Sequence, residues 1–517
     1  MTFDEFFAWF PWWGYILTFL VLLFLRDILQ RRHTISHNFP VVGHLRYMLE
    51  RIGPELRQYI VANNREELPF NRSQRSWVYA SSKKQNNYQG FGTDQDIHAA
   101  GHIFINPSLL PFKMPENHVN REHSDLIPCA KIIGAFNNRK RPFRPKSIIN
   151  ISAMSFGSLS ANAVSALNQG ALKAECYHNT GEGGYSPYHQ HGADTMLQIG
   201  TAYFGLRDDE GDFVMEKLVT LVNDHPQIRA IEIKLSQGAK PGKGGVLPAA
   251  KITSEIAAIR HIKKGKDVVS PSYHKAFNDV KGLIDFIESI ADQTGLPVGI
   301  KAAVGKLDLW HELTDLMLSE NKGPDFVTID GGEGGTGAAP PSFANHVSLP
   351  FTYAFTEVYQ IFQAKELTDR VVFIGSGKLG FPSSTLMAFA IGVDIVQVAR
   401  ESMLSIGCIQ AQVCHTNKCP AGVATQNKWL QAGIDPKRKS DRFYNYIKTL
   451  RKEILEITHA CGYEHPSQMT MADVDVSMGD NNYTTTLESI YKYKKTPVPF
   501  NGTNEMLNCI HLGNQSN

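Results

Sequence analysis

An alternation that begins near residue 147 constrains this chain more than any other feature. Short β-branched runs there take turns with longer helix-like stretches, the pattern of βα units wound around a parallel sheet. Eight such runs can be counted: SIINISAMS (147–155), AECYHNT (174–180), RAIEIKL (229–235), KDVVS (266–270), PVGIKAA (297–303), DFVTIDG (325–331), VVFIGSG (371–377) and VDIVQVA (393–399). Segments such as SANAVSALNQGALKA and GLIDFIESIADQTG lie between them with helical periodicity. The pattern predicts an α/β fold, a (β/α)8 TIM barrel. Nearly every run opens at its C-terminal end into glycine and polar residues: MSFGS, NTGEGG, SQGAKPGKGG, SPSYH, DGGEGGTGAAP and GSGKLG. One glycine loop would be an ordinary turn. Six on the same side of their strands mark the end where such barrels do chemistry, with backbone approaching a ligand closely.

At 517 residues the chain is too long for the barrel alone. It divides into an apolar N-terminal segment (6–25), an N-terminal cap region (33–145), the barrel (147–430) and a C-terminal helical extension and tail (431–517). A formal charge of +2 gives no reason to expect a nucleic-acid partner. Four of the seven cysteines, Cys129, Cys176, Cys461 and Cys509, are scattered, unlike a secreted disulfide framework.

The segment FFAWFPWWGYILTFLVLLFL, Phe6 to Leu25, carries no charge and has the length of a bilayer-crossing helix. Trp9, Trp12, Trp13 and Tyr15 crowd one end, as interfacial anchors do. Asp4 and Glu5 precede it and Arg26, Arg31 and Arg32 follow, so the positive-inside rule puts the catalytic bulk in the cytoplasm. The expectation is a single-pass membrane protein. Pro11 and Gly14 leave a shorter, buried or interfacial hairpin open as the alternative.

Candidate binding residues cluster on the loops. GSGKLG (375–380) follows the seventh run and Arg400 the eighth, where phosphate-binding barrels hold their phosphate. Lys301, inside GIKAA, would put an ammonium into the barrel and needs an anionic or electron-rich partner, a flavin edge or a carboxylate. IEIKLSQGAKPGKGGVLP (231–248) gathers Lys234, Lys240, Lys243 and Gln237, and Arg260 follows. Lysine and arginine converging would suit a dicarboxylate, although loop lysines are more often simply solvated. Cys408, Cys414 and Cys419 have the spacing C-x5-C-x4-C. Thiols so close suit an iron–sulfur cluster lacking one iron, with zinc shared with His415, or three inert cysteines, as the competing readings.

Taken together, the blocks MSFGSLS, NTGEGG, EIKLSQGAKPGKGGVLP, SPSYH, DGGEGGTGAAP and GCIQAQVCHTNKCPAGVATQ resemble the FMN-binding synthase domain of glutamate synthase, over roughly residues 130–465. The resemblance implies an oxidoreductase acting on CH–NH2 donors, with FMN and a 3Fe-4S cluster held by Cys408, Cys414 and Cys419. It implies 2-oxoglutarate at Gln237, Lys240 and Arg260, with Glu182 nearby. FMN would be surrounded by Ser155, Thr180, Lys301, Gly334, Gly335, Thr336, Gly375, Ser376, Gly377 and Arg400. The product would be L-glutamate, made with an external electron donor and with ammonia or an amino group from a partner such as a glutaminase subunit. The first cysteine is Cys129, so glutamine hydrolysis by an N-terminal cysteine is not expected of this chain. Two alternatives stay open: the same chemistry on another keto acid or amine, and a membrane-tethered electron-relay subunit.

Overall fold

Eight parallel strands close on themselves in chain order: β1 (Ile149–Ile151), β2 (His178–Asn179), β3 (Thr195–Ile199), β4 (Ile228–Lys234), β5 (Val298–Ala302), β6 (Phe326–Asp330), β7 (Val372–Ser376) and β8 (Ile395–Val398). β8 returns to β1 with Gln397 opposite Asn150, so the sheet has no edge. The computed structural model describes residues 12–30, 32–113, 126–479 and 483–500, in two units divided between Arg75 and Ser76.

Seven of the eight expected runs are barrel strands. KDVVS is not: Val268–Val269 pairs antiparallel with Val246–Leu247 in a two-residue ribbon outside the barrel sheet. The missing strand is β3, whose sequence TMLQI is buried throughout. Its Met, Leu and Gln carry no β-branched signal, and burial between neighbouring strands fixes their conformation instead. The helices fall where periodicity places them. Ser160 Oγ accepts from Ala163 N at 3.2 Å to start Ala161–Ala174, and Asp279 Oδ1 accepts from Gly282 N at 2.6 Å to start Val280–Thr294.

The barrel interior changes character along its axis. At the N-terminal end Tyr177, Met196, Ala230 and Phe326 pack with Cys129, Ile133 and Phe143 from the segment before β1. A side chain at Gly299 would put its Cβ 2.4 Å from the Phe326 ring, so glycine there is what lets the ring fill the base. One layer up, Glu232 is held by three neutral donors. At the C-terminal end the inward residues are charged: Lys234, Lys301 and Asp330. Segments flanking the barrel meet in one small sheet, where Ile103–Ile105 pairs with Val474–Ser477 and that strand with Thr484–Thr486.

In the first unit, helix α1 (Trp12–Leu29) is long and apolar enough to cross a membrane by length and composition. Residues 1–11 and Arg31 lie outside the described residues, so the expected span is seen only from Trp12 on. Helices α2 (Thr34–Asn38) and α3 (Gly43–Leu56) follow. Of the expected C-terminal extension, residues 480–482 and 501–517 lie outside the described residues.

Candidate active site

The charged layer opens into a pocket lined by Glu182, Thr201, Lys234, Gln237, Lys240 and the Gly242–Gly245 stretch. Lys234 ends β4 two residues after Glu232, so the strand's alternation turns it to the same inner face. Its Nζ donates to Glu182 Oε1 at 2.8 Å and to Gln237 Oε1 at 2.6 Å. Glu182 reaches it from the loop after β2. The carboxylate lies between two glycines: a Cβ at Gly200 or Gly245 would come within 2.6 or 2.3 Å of its oxygens. Those glycines of NTGEGG's neighbouring loops are therefore a cradle for a side chain.

Two further cations face the same carboxylate. Lys240 is buried, and its Nζ donates to the carbonyl of Ala338 at 2.8 Å, tying the loop after β4 to the loop after β6. A second tie runs from Gly238 N to Asp330 Oδ2 at 2.9 Å. Arg260 ends the helix Ser254–Arg260 and turns back to the loop after β1. There its Nη2 donates to Phe156 O at 2.8 Å and to Ser155 Oγ at 3.2 Å, with its guanidinium 5.1 Å from the Phe204 ring centre. Arg260 Nε is buried without a hydrogen-bond partner.

The titration behaviour follows from that crowding. Burial alone would push the Glu182 carboxyl up, but Lys234, with Lys240 and Arg260 behind it, holds it below the ordinary carboxylate range. Burial and Lys234 bring Lys240 down to about 8. Burial brings Arg260 down to about 10, with Glu182 opposing.

The expected cofactor residues fall on the neighbouring loops. Thr180 is held within the wall, its hydroxyl donating to Gly181 O at 3.0 Å and accepting from Gln198 N at 3.0 Å. Lys301 has a carboxylate neighbour, Asp330 Oδ2 at 3.8 Å. Ser376 Oγ is 3.4 Å from Ser152 Oγ, and Ser376 O accepts from Gly331 N, which packs the Gly375–Gly377 turn against the loop holding Gly334, Gly335 and Thr336. Arg400 donates to the carbonyl of Glu333 and lies so close to Gly335 that a Cβ there would sit 2.6 Å from its Cδ. Burial and the nearby Arg400 both lower the Lys378 ammonium. Two cations gathered at the ends of β7 and β8 suit a phosphate, and the residues present fit FMN on that count.

The cysteine loop is arranged less tightly than its spacing suggests. Cys414 and Cys419 are close enough that Cys419 adds to the burial raising the Cys414 thiol, and Lys251 opposes both. Lys251 Nζ donates to Ser158 O at 2.6 Å and to Cys414 O at 3.4 Å, which ties this loop to the loop after β1. Cys408 is anchored separately, its carbonyl accepting from Tyr79 OH at 2.8 Å. Among the described residues no two cysteines form a disulfide. Among the described residues no group of three or more metal-ligating side chains is gathered. The donor set, three soft thiols on one loop, is of the kind a cluster takes.

Sequence reasoning passed over Asp330, Lys251 and His274, and placed Lys234 among the loop lysines. His274 lies in SPSYH, assigned above to a loop after a barrel strand. The loop in fact follows the outer ribbon, and it still reaches the pocket, with Pro271 and Ser272 in the lining and Thr201 Oγ1 donating to Pro271 O at 2.7 Å. The signal for Lys234 was its phase two residues after Glu232.

Residues 82–464 match the conserved region in glutamate synthase. The chain is 38% identical over 475 residues to the glutamate synthase large subunit-like protein YerD of Bacillus subtilis, covering 86% of this chain and 90% of that one. It is 33% identical over 321 residues to an archaeal glutamate synthase (NADPH) of Methanocaldococcus jannaschii, covering 61% of this chain and 59% of that one. An archaeal-type glutamate synthase (NADPH) of Thermotoga maritima is 32% identical over 368 residues, 69% of each chain. Barrel, pocket and relatives together define a TIM-barrel oxidoreductase. More particularly, the chain belongs to the glutamate synthase family.

Proposed function

We propose that the pocket takes a 2-oxoglutarate-like dicarboxylate and that the chain makes L-glutamate from it with ammonia or an amino group supplied by a partner. One observation carries this reading. Three buried cations, Lys234, Lys240 and Arg260, act on one carboxylate, Glu182, so among these side chains three minus one leaves an excess of two positive charges, to which the exposed Lys243 of the pocket lining adds. A dicarboxylate supplies the two negative charges that such a site lacks.

The chain's residues divide the work. Lys240, an ammonium at neutral pH, pairs with one carboxylate as a point charge, and Arg260, whose buried Nε has no hydrogen-bond partner, would take the second. Gln237, locked through Lys234, fixes the wall between them. Glu182, ionised at neutral pH, is the group able to hold an ammonium or take a proton as nitrogen adds to the keto carbon. Positioning is the main contribution of all four.

FMN would be held by Ser155, Thr180, Lys301, Gly334, Gly335, Thr336, Gly375, Ser376, Gly377 and Arg400, with Lys378 and Arg400 the cations for its phosphate. Bound there, a flavin supplies two-electron reduction. Cys408, Cys414 and Cys419 would hold a 3Fe-4S cluster through which an external donor feeds electrons. The same proposal keeps the domain division given above and reads α1 as a single-pass anchor with the barrel in the cytoplasm. What supports the anchor is the apolar length of α1 and Arg26 at its end.

The test is a substrate panel. Detergent-purified, flavin-loaded chain, reduced artificially, should form glutamate from 2-oxoglutarate and ammonia far faster than it aminates monocarboxylate keto acids or uses methylamine. Equal rates with pyruvate would overturn the dicarboxylate assignment. Visible and EPR spectra of the oxidised protein report the flavin and a three-iron centre separately.

A further inference from the structure

The first unit carries a helix built inside out for water. In α3 the apolar residues Leu45, Met48, Leu49, Ile52 and Leu56 recur at i, i+3, i+4, i+7 and i+11. At 100° per residue they fill an arc of about 100° on one side. Such a stripe normally faces a core. Here Leu45 and Met48 are 52% exposed, Leu49 50%, and Ile52 and Leu56 40%. The contacts that α3 makes with its own unit come from another side. His44 Nε2 meets the carboxylate of Asp27 at 2.8 Å, the Tyr47 ring stands 5.7 Å from His33, and Gly43 packs against Ser36 of α2, 3.0 Å from where its Cβ would be. His44 and Tyr47 lie roughly 100° and 160° around the helix from the stripe. The unit therefore grips α3 by its polar flank and turns its apolar face outward.

What covers that face is fixed by where the helix is tied. Asp27 lies in the last turn of α1, and besides His44 it accepts from Val41 N at 2.9 Å. The start of α3 is thus bonded to the end of the apolar helix, and that end also carries Arg26. Around the apolar stripe run Arg46, Glu50, Arg51 and Glu55, with Arg57 just beyond, a mixed polar rim with basic excess. An exposed apolar stripe with such a rim, joined to the end of a spanning helix, lies at the depth of lipid headgroups.

We propose that α3 lies in the membrane surface, its Leu45–Leu56 stripe sunk into the headgroup–acyl boundary, as a second membrane contact beside α1. It rests on reading α1 as an anchor, and the two can fail separately. The experiment uses the full chain in vesicles of phosphatidylcholine and phosphatidylglycerol, with a benzophenone amino acid placed at Leu49, at Met48 or at Glu50. Irradiation at Leu49 and Met48 should give about tenfold more lipid adduct than at Glu50. Adducts from Leu49 and Met48 to a second copy or to the chain's own barrel would overturn the proposal, as would equal lipid yields at all three positions. Alkaline carbonate extraction separates the two readings. Chain that stays in the vesicles but gives no lipid adduct removes the surface helix alone, whereas chain that washes off removes the anchor.

Discussion

Glu232 and Glu182 are carboxylates of one barrel, satisfied in opposite ways. Glu232, fully buried, accepts from Asn179 Nδ2 at 2.8 Å, Gln198 Nε2 at 2.7 Å and Thr328 Oγ1 at 2.7 Å, all neutral donors. Glu182, nearer the mouth, faces Lys234 directly, with Lys240 and Arg260 adding to the field. Only one residue of β4, Ile233, separates Glu232 from the lysine that holds Glu182. The difference teaches how one strand serves two purposes. A charge saturated by neutral donors stitches four strands together and leaves nothing for a ligand. A charge outnumbered by cations leaves an excess that a guest must complete.

The sharpest way to break this comparison is at Glu232. Replacing it with Ala orphans three buried donors and opens a cavity, which should cost about 3–5 kcal/mol of stability. Denaturant unfolding measures it. A loss below about 1 kcal/mol would mean that water or rearrangement satisfies those donors and that the layer is not structural.

At the mouth the prediction is reversed in kind. Lys240→Ala should leave stability unchanged or slightly raised, because a buried cation repelled by Lys234 and Lys243 is removed. Binding of 2-oxoglutarate should weaken by about 2–3 kcal/mol, roughly 30- to 150-fold, with flavin still bound. Unchanged keto-acid affinity would take Lys240 out of the site.

These contrasts were unevenly legible in the sequence. The barrel was readable because β-branched runs and glycine loops repeat, and the two errors have one physical origin. KDVVS has the right residues but lies outside the sheet, while TMLQI has Met, Leu and Gln between its two β-branched ends and is a strand because both faces are buried. Gln237 and Lys240 were legible on one loop with Arg260 after it, whereas Glu182 came only from the resemblance; Glu182, Gln237 and Lys240 line one pocket, and Arg260 acts on Glu182 through its charge. Lys234 was counted among loop lysines although its phase on β4 aims it inward. Glu232 gave no signal beyond that phase, since its partners come from three other strands. Spacing and the resemblance both grouped Cys408 with Cys414 and Cys419; the fold brings Cys414 and Cys419 near each other and holds the Cys408 carbonyl on Tyr79.

A smaller effect follows from pH. Burial and Lys234 lower Lys240 from 10.5 to about 8, and the keto acid needs the ammonium. Affinity should therefore be full below pH 8 and fall as pH rises through it, by up to about tenfold per unit. Stability runs the other way. The folded state resists charging this lysine, so the cost is fully present below pH 8 and is relieved between 8 and 10.5. Lys240→Arg, charged throughout, should flatten the affinity profile; a profile that stays bent would move the titration to another group.

The finest test concerns how Lys234 is held. Its carbonyl can only accept, so His274 Nε2 donates to it, at 3.0 Å. His274 Nδ1 is then the acceptor, taking the proton of Tyr203 OH at 3.1 Å, and Tyr203 Oη accepts in turn from Ala276 N at 3.0 Å. Burial lowers the His274 imidazolium, which keeps the ring neutral and this direction of donation intact at pH 7. Tyr203→Phe removes two bonds of the chain while leaving the packing of the ring on Phe213. Each bond is worth about 1 kcal/mol net, so the variant should lose about 1–2 kcal/mol of stability. Because the chain ends on the residue that holds both Glu182 and Gln237, KM for the keto acid should rise several-fold with kcat nearly unchanged. A fall in kcat at constant KM would instead place Tyr203 in the chemical step, and the distinction between a structural carboxylate layer and a binding one would have to be drawn elsewhere on β4.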